Sequence, residues 1–215
     1  MKVLIIGANG QIGKHTVRML GLSTEHEVRA MIRTEEQRST MEELGADEIV
    51  IGNLEEDFSH AFSDVDAVIF TAGSGAHTGK DKTESIDKDG AIKSVQEAEK
   101  ANVSRFVLIS SIRADKPESG PEQIQHYLRA KGAADEALQN SSLTYTVLRP
   151  GSLSNDPGKG TITAKISLDD LNSNIPREDV ANVAVNALTI EETFNSTIEL
   201  LTGDTAIGEA LKTFK

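Results

Sequence analysis

"MKVLIIGANGQIG", residues 1–13, sets an aliphatic run directly before three glycines spaced three apart, with a helical pattern following at once. Val3–Ile6 reads as a buried strand, and Gln11–Leu20 repeats its apolar residues at helical spacing. Between them, Gly7, Gly10 and Gly13 can supply a tight turn, a close approach of backbone to a pyrophosphate, and close packing of helix on sheet. A helix N-terminus adds unpaired N–H groups and a positive dipole end. Gly7, Asn9, Gly10, Gln11, Ile12 and Gly13 are therefore the expected dinucleotide contacts.

The same alternation continues outward. Glu27–Ile32, Glu48–Ile51, Ala67–Phe70, Phe106–Ile109 and Tyr145–Leu148 read as further buried strands. Helical patterns at Glu36–Leu44, Ser85–Ala101 and Gln123–Leu138 lie between them. Strand alternating with helix implies a doubly wound parallel sheet of Rossmann type, covered on both faces. After Pro150 the pattern loosens: "GSLSNDPGKG" is turn-rich, "TITAKISL" suits a strand, "REDVANVAVNAL" a helix and "TIELL" a last strand. Too little chain remains for a separate substrate domain, so residues 1–215 read as one domain with a small C-terminal elaboration.

Composition narrows the function classes. A formal net charge of −12 with no basic run opposes nucleic acid or an anionic membrane as a partner. The absence of cysteine excludes disulfides, thiolate metal sites and a cysteine nucleophile. No metal-ligand spacing joins His15, His26, His60, His77 and His126, so no metal is expected. The opening apolar run is too short for a signal peptide and no stretch is long enough to span a bilayer, so a cytoplasmic chain is expected.

At the end of the second strand an acid would hold the ribose hydroxyls of NAD. Here "VRAMIRTEEQ" puts Arg33 in that place, and a guanidinium suits a 2′-phosphate, so NADP is expected, with NAD as the alternative. Arg38 is a second candidate for the phosphate, while Glu35 and Glu36 oppose it. Thr34 with Gln37 reads as a capping box. Ala72 and Gly73, in "TAGSG" after the fourth strand, allow close approach to the cofactor's sugars.

"HYLRAK", residues 126–131, places Tyr127 and Lys131 on one helix face. An isolated phenol, with a pKa of ~10, exchanges protons poorly at neutral pH. A nearby ammonium and an oxidised nicotinamide ring favour the phenolate and move it toward a useful acid–base range.

The G-x-x-G-x-x-G spacing of "GANGQIG", followed in order by "GNLEED", "FTAGSG", "RFVLISS", "HYLRAK" and "LRPGSL", resembles the extended and atypical short-chain dehydrogenases/reductases over nearly the whole chain. The likeness is strongest to the compact NmrA-like and biliverdin-reductase-B-like group, which includes small bacterial proteins named as sugar epimerases. It implies that Asn53, with Leu54, faces adenine, and that Pro150 in "RPG" touches the nicotinamide end through its backbone. It also implies that Ser111 orients the substrate oxygen, with Ser110 as the alternative, while Tyr127 exchanges the proton and Lys131 also bonds the nicotinamide ribose. The implied function is an NADP-dependent oxidoreductase or epimerase-like enzyme acting on a small carbonyl or hydroxyl substrate, as monomer or homodimer. The short C-terminal part opposes a sugar-nucleotide substrate. A non-catalytic NADP(H)-sensing regulator of NmrA-like type is the competing reading, since it needs the glycine turn but not the Tyr–Lys pair.

Overall fold

The structure is a computed structural model that describes residues 1–75, 79–171 and 173–214. Its first half runs β1 (Lys2–Ile6), α1 (Gln11–Gly21), β2 (Glu27–Ile32), α2 (Arg38–Glu43), β3 (Glu48–Ile51) and β4 (Ala67–Phe70). A short turn of helix, α3 (Lys80–Lys82), then leads into a π-helical segment, Thr83–Gly90, and α4 (Ala91–Lys100). Next come β5 (Arg105–Ile109), α5 (Gln125–Gln139), β6 (Thr144–Pro150), β7 (Ser152–Ser154), β8 (Thr161–Lys165) and β9 (Asn174–Pro176). The chain closes with α6 (Arg177–Ala187), β10 (Ser196–Thr202), β11 (Thr205–Ala206) and α7 (Ile207–Leu211).

Nine strands form one sheet in the order β11-β8-β10-β6-β5-β4-β1-β2-β3. From β3 through β10 every neighbouring pair is parallel, with Ile5 of β1 set between Ala30 of β2 and Ile69 of β4. The six sequence-read strands match β1 to β6 within two residues at each end. The C-terminal elaboration adds an antiparallel edge, where β8 runs antiparallel to β10 and β11 antiparallel to β8. No helix separates β6 from β8, so no crossover brings the chain back parallel before β8 is laid down. The turn-rich "GSLSNDPGKG" also hides β7, which pairs with β9 in a small second sheet.

Period-two alternation divides the strands' side chains between two cores. Val3, Ile5, Ile69 and Val107 pack with Val17 of α1 and Val180 of α6, while Leu4, Ile6, Phe70 and Phe106 pack with Val95 of α4 and Leu138 of α5. Both faces are covered, which is why these strands are near-continuous aliphatic runs rather than alternating ones. Each fully buried aliphatic or aromatic side chain contributes about 1.5–3 kcal/mol.

The reversal of strand order occurs at β1, with β2 on one side and β4 on the other. In such sheets the crevice outside the carboxyl ends at this reversal is where ligands bind. The glycine turn, Arg33, Asn53, Ala72 and Ser110 all follow the carboxyl ends of their strands. A groove of about 490 Å³ lined by Met1, Lys2, Glu25 and Asp66 lies at the opposite, amino-terminal ends, away from this chemistry.

Candidate active site

Gly7 and Gly13 are held by geometry that only glycine satisfies. Gly7 has φ +84°, and a Cβ there would sit 2.6 Å from the backbone nitrogen of Ala72. A Cβ on Gly13 would sit 2.2 Å from the Gly7 carbonyl oxygen. Gly10 is exposed, caps α1 with an extended backbone, and has only the Gly7 oxygen, at 3.1 Å, near its notional Cβ. The turn closes with the Gly10 N–H donating to the Gly7 carbonyl at 2.9 Å, and the first N–H bonded back into α1 is that of Lys14. Among the described residues the N–H groups of Gln11, Ile12 and Gly13 find no partner. No acidic residue lies in that first turn. Open donors at a positive helix end, beside a glycine without a side chain, fit a pyrophosphate. Asn9 is half-buried and Ile12 buried at the same turn.

Thr71 ties this turn to the end of β4, its hydroxyl donating to the Ile6 carbonyl at 3.0 Å. Ala72 therefore stands against Gly7, and Gly73 lies next to Asp87 Oδ1. Arg33 is exposed at the end of β2, and among the described residues its guanidinium has no ion pair or hydrogen bond. The opposing acids are otherwise engaged: Glu35 grips Arg38, and the Thr34 hydroxyl holds Glu36 below the usual carboxylate range. Arg38 is thereby committed to Glu35 and cannot assist at a phosphate without breaking that pair. The capping box also differs from expectation. Gln37 accepts from the N–H of Arg33 rather than Thr34, one residue earlier, because the chain enters a tighter helical turn at Glu35 before α2 begins.

Asn53 shapes its own turn, accepting from the Glu55 N–H at 3.1 Å and donating to Glu56. Leu54 packs on Gly90 and the α4/α5 core. Pro150 is buried, and its carbonyl accepts from the Ile112 N–H at 3.1 Å. The two serines diverge. Ser110 follows Phe106 and Leu108 onto the α5 face, where its buried hydroxyl has no hydrogen-bond partner among the described residues. Ser111 is half-buried and donates to the Ile112 carbonyl at 3.2 Å.

α5 carries its polar groups inward. Tyr127, Lys131 and Asp135 follow at successive turns on one face, with Lys131 4% and Asp135 1% exposed. Lys131 Nζ lies 5.9 Å from the centre of the Tyr127 ring and 3.6 Å from Asp87 Oδ1. Asp87 is fully buried in the π-helical segment, and its Oδ2 accepts from the Ser74 N–H at 3.0 Å. Asp135 accepts from Arg149 Nε at 2.9 Å, and Arg149 also reaches Asp115 at 3.3 Å. Burial pushes the Asp135 carboxyl above the usual range, against the pull of Ser110, Arg149 and Lys131.

Lys131 draws the Tyr127 pKa down as expected, but in the chain by itself the net direction is upward. Burial raises it, Asp87 and Asp135 raise it further, and Lys131 only partly offsets them. The sequence shows the ammonium one turn away but not the carboxylates brought by the fold. Asp87, Asp135 and the Arg149 side chain were all missed, and only Asp135, four residues beyond Lys131, left a signal that spacing could have found.

His77 lies outside the described residues. Among the described residues no group of three or more histidine, aspartate or glutamate side chains could hold a metal, and no helix is long and apolar enough to cross a membrane.

A family model described as NAD(P)H-binding matches residues 7–191. A Bacillus subtilis protein named an uncharacterized sugar epimerase, YhfK, is 45% identical over 215 residues, covering 99% of each chain. Sanguinarine reductase of Eschscholzia californica is 28% identical over 266 residues, covering 100% of this chain and 94% of that one. A solved structure from Bacillus halodurans, provisionally named an NAD-dependent epimerase/dehydratase, is 46% identical with a TM-score of 0.96 over 99% of both chains.

Proposed function

The chain belongs to the NAD(P)H-binding family, and from that premise we propose that it is an NADP-dependent oxidoreductase or epimerase-like enzyme acting on a small carbonyl or hydroxyl substrate. The observation that carries this reading is the α5 face, where Tyr127 stands one turn from a buried lysine. A regulator that only senses the nucleotide uses such a lysine for the ribose but has no need of a phenol beside it.

Bound at this crevice, a nicotinamide supplies or accepts the hydride. The chain's own groups then divide the remaining work. The N–H groups of Gln11 and Ile12 hold phosphate, and Arg33 stands ready for a 2′-phosphate. Tyr127 exchanges a proton with the substrate oxygen, while Lys131 sets its field and reaches the ribose. A serine hydroxyl, Ser111 or Ser110, orients that oxygen.

Cofactor choice is the first test. A guanidinium fork can hold phosphate oxygens by two charge-assisted bonds, so NADPH is expected to bind roughly 30- to 100-fold tighter than NADH. Arg33→Asp is expected to invert the order, because the carboxylate repels phosphate and accepts from ribose hydroxyls. Calorimetric titration with both nucleotides checks it. Equal affinities in the parent, or an unchanged preference in the variant, would remove Arg33 from the site. Turnover is the second test: NADPH consumption with a panel of small aldehydes, ketones and quinones should reveal a substrate that the Tyr127→Phe variant handles poorly.

A further inference from the structure

Among the described residues, Asp64, Asn102, Arg113 and Asn195 have a left-handed backbone without being glycine. Three of these are of the residue types that tolerate it, and Arg113, at φ +64°, is not. Arg113 stands third in a turn that the Ala114 N–H closes on the Ser111 carbonyl at 3.2 Å, a position with positive φ where glycine or asparagine is the usual choice. The turn is pinned on both sides. The Ile112 N–H donates to the Pro150 carbonyl at 3.1 Å, and the Lys116 N–H donates to the Arg113 carbonyl at 3.1 Å.

This turn packs on α5 beside Tyr127 and Lys131. A Cβ on Gly132 would lie 2.3 Å from the Ala114 carbonyl oxygen, so the turn rests on the helix directly after Lys131. Arg113 Cδ is 3.8 Å from the place of a Cβ on Gly120, and Gly120 abuts Leu128, the neighbour of Tyr127. Arg113 is half-buried, and among the described residues its guanidinium has no hydrogen bond or ion pair. The acid two residues on, Asp115, pairs with Arg149 instead, while Glu118 and Glu122 are exposed. Arg29, Arg38, Arg105, Arg129, Arg149 and Arg177 each have an acceptor. In a chain of 34 acidic and 22 basic residues, an arginine left unpaired on a strained turn beside the serine is a donor kept open.

We propose that Arg113 receives a carboxylate of the substrate, so that this site reduces oxo acids, carbonyl compounds that carry an acid group. The proposal rests on the oxidoreductase reading above and names the substrate class of that same site. A guanidinium fork matches the two oxygens of a carboxylate, and no acid beside it competes. Ser111 and Tyr127 address the carbonyl oxygen, and Arg113 sets which end of the molecule faces them. The carbonyl carbon receives a hydride from reduced nicotinamide dinucleotide. The carbon–oxygen π bond breaks as the oxygen takes the Tyr127 proton, giving a hydroxy acid. The phenolate recovers a proton from solvent, and the carboxylate is unchanged.

The test is NADPH consumption by the full chain with pyruvate, levulinate and para-carboxybenzaldehyde, each compared with its methyl ester. For at least one pair the acid is expected to give a kcat/KM about 10- to 100-fold above that of the ester, the size of a charge-assisted contact. Arg113→Gln should raise KM for that acid by the same factor, leave kcat within about twofold and leave the ester unmoved. Arg113→Gly is the folding control, since glycine suits φ +64° without strain. It should melt close to the parent and lose the same preference for the acid, which a purely structural arginine would not set. Esters handled as well as acids in every pair, or an acid preference that survives both variants, would overturn the proposal. Failure to reduce any acid would overturn it too. The oxidoreductase reading then stands or falls separately, on NADPH binding and on the neutral aldehydes, ketones and quinones.

Discussion

Gly13→Val is expected to prevent folding, while Gly10→Val is expected to fold and lose its dinucleotide. The difference lies in what each new side chain meets. At Gly13 even the Cβ would lie 2.2 Å from the Gly7 oxygen and 2.8 Å from the Ala8 oxygen, both backbone atoms at the heart of the β1–α1 turn. Neither can move without pulling β1 from the sheet or α1 from its core, so the cost is about 4 kcal/mol or more, a large share of a typical domain's stability. At Gly10 the one close contact is 3.1 Å, the residue is exposed, and its φ of −71° suits any side chain. Valine is a poor helix cap, which costs about 1 kcal/mol, but its methyl groups occupy the surface a pyrophosphate must approach. Circular dichroism should show a folded Gly10→Val and an unfolded Gly13→Val. Calorimetry should show no NADPH binding by Gly10→Val, and unchanged affinity there would remove the glycine turn from the site.

Tyr127→Phe keeps the ring and its place beside Lys131 but deletes the proton. Nucleotide binding should survive, while turnover of any identified substrate should fall by ~10²-fold or more. Lys131→Met should lose turnover and also weaken nucleotide binding. Activity at the parental rate in Tyr127→Phe would remove Tyr127 from the proton transfer.

The features legible in the sequence were those written in local spacing. A parallel strand buried on both faces must be an aliphatic run, which is why "VLII", "AVIF" and "FVLI" marked β1, β4 and β5. A glycine turn between strand and helix, and a Tyr–Lys pair one helical turn apart, are equally local. The rest depends on tertiary approach. Asp87 looked like one more acid in "TESIDKDG", and only the packing of the π-helical segment on α5 turns it toward Lys131. Asp135 looked like an ordinary helical acid until α5 turned that face inward toward Arg149. β7, β9 and β11 are two or three residues each, too short for any alternation to register.

A structure of the chain with NADP bound tests the central claim most directly. The expected result has the pyrophosphate against the N–H groups of Gln11 and Ile12, the 2′-phosphate within reach of Arg33, and the nicotinamide beside Tyr127 with Lys131 on its ribose. A nucleotide bound away from the β1–α1 turn, or a nicotinamide placed out of reach of Tyr127, would contradict it.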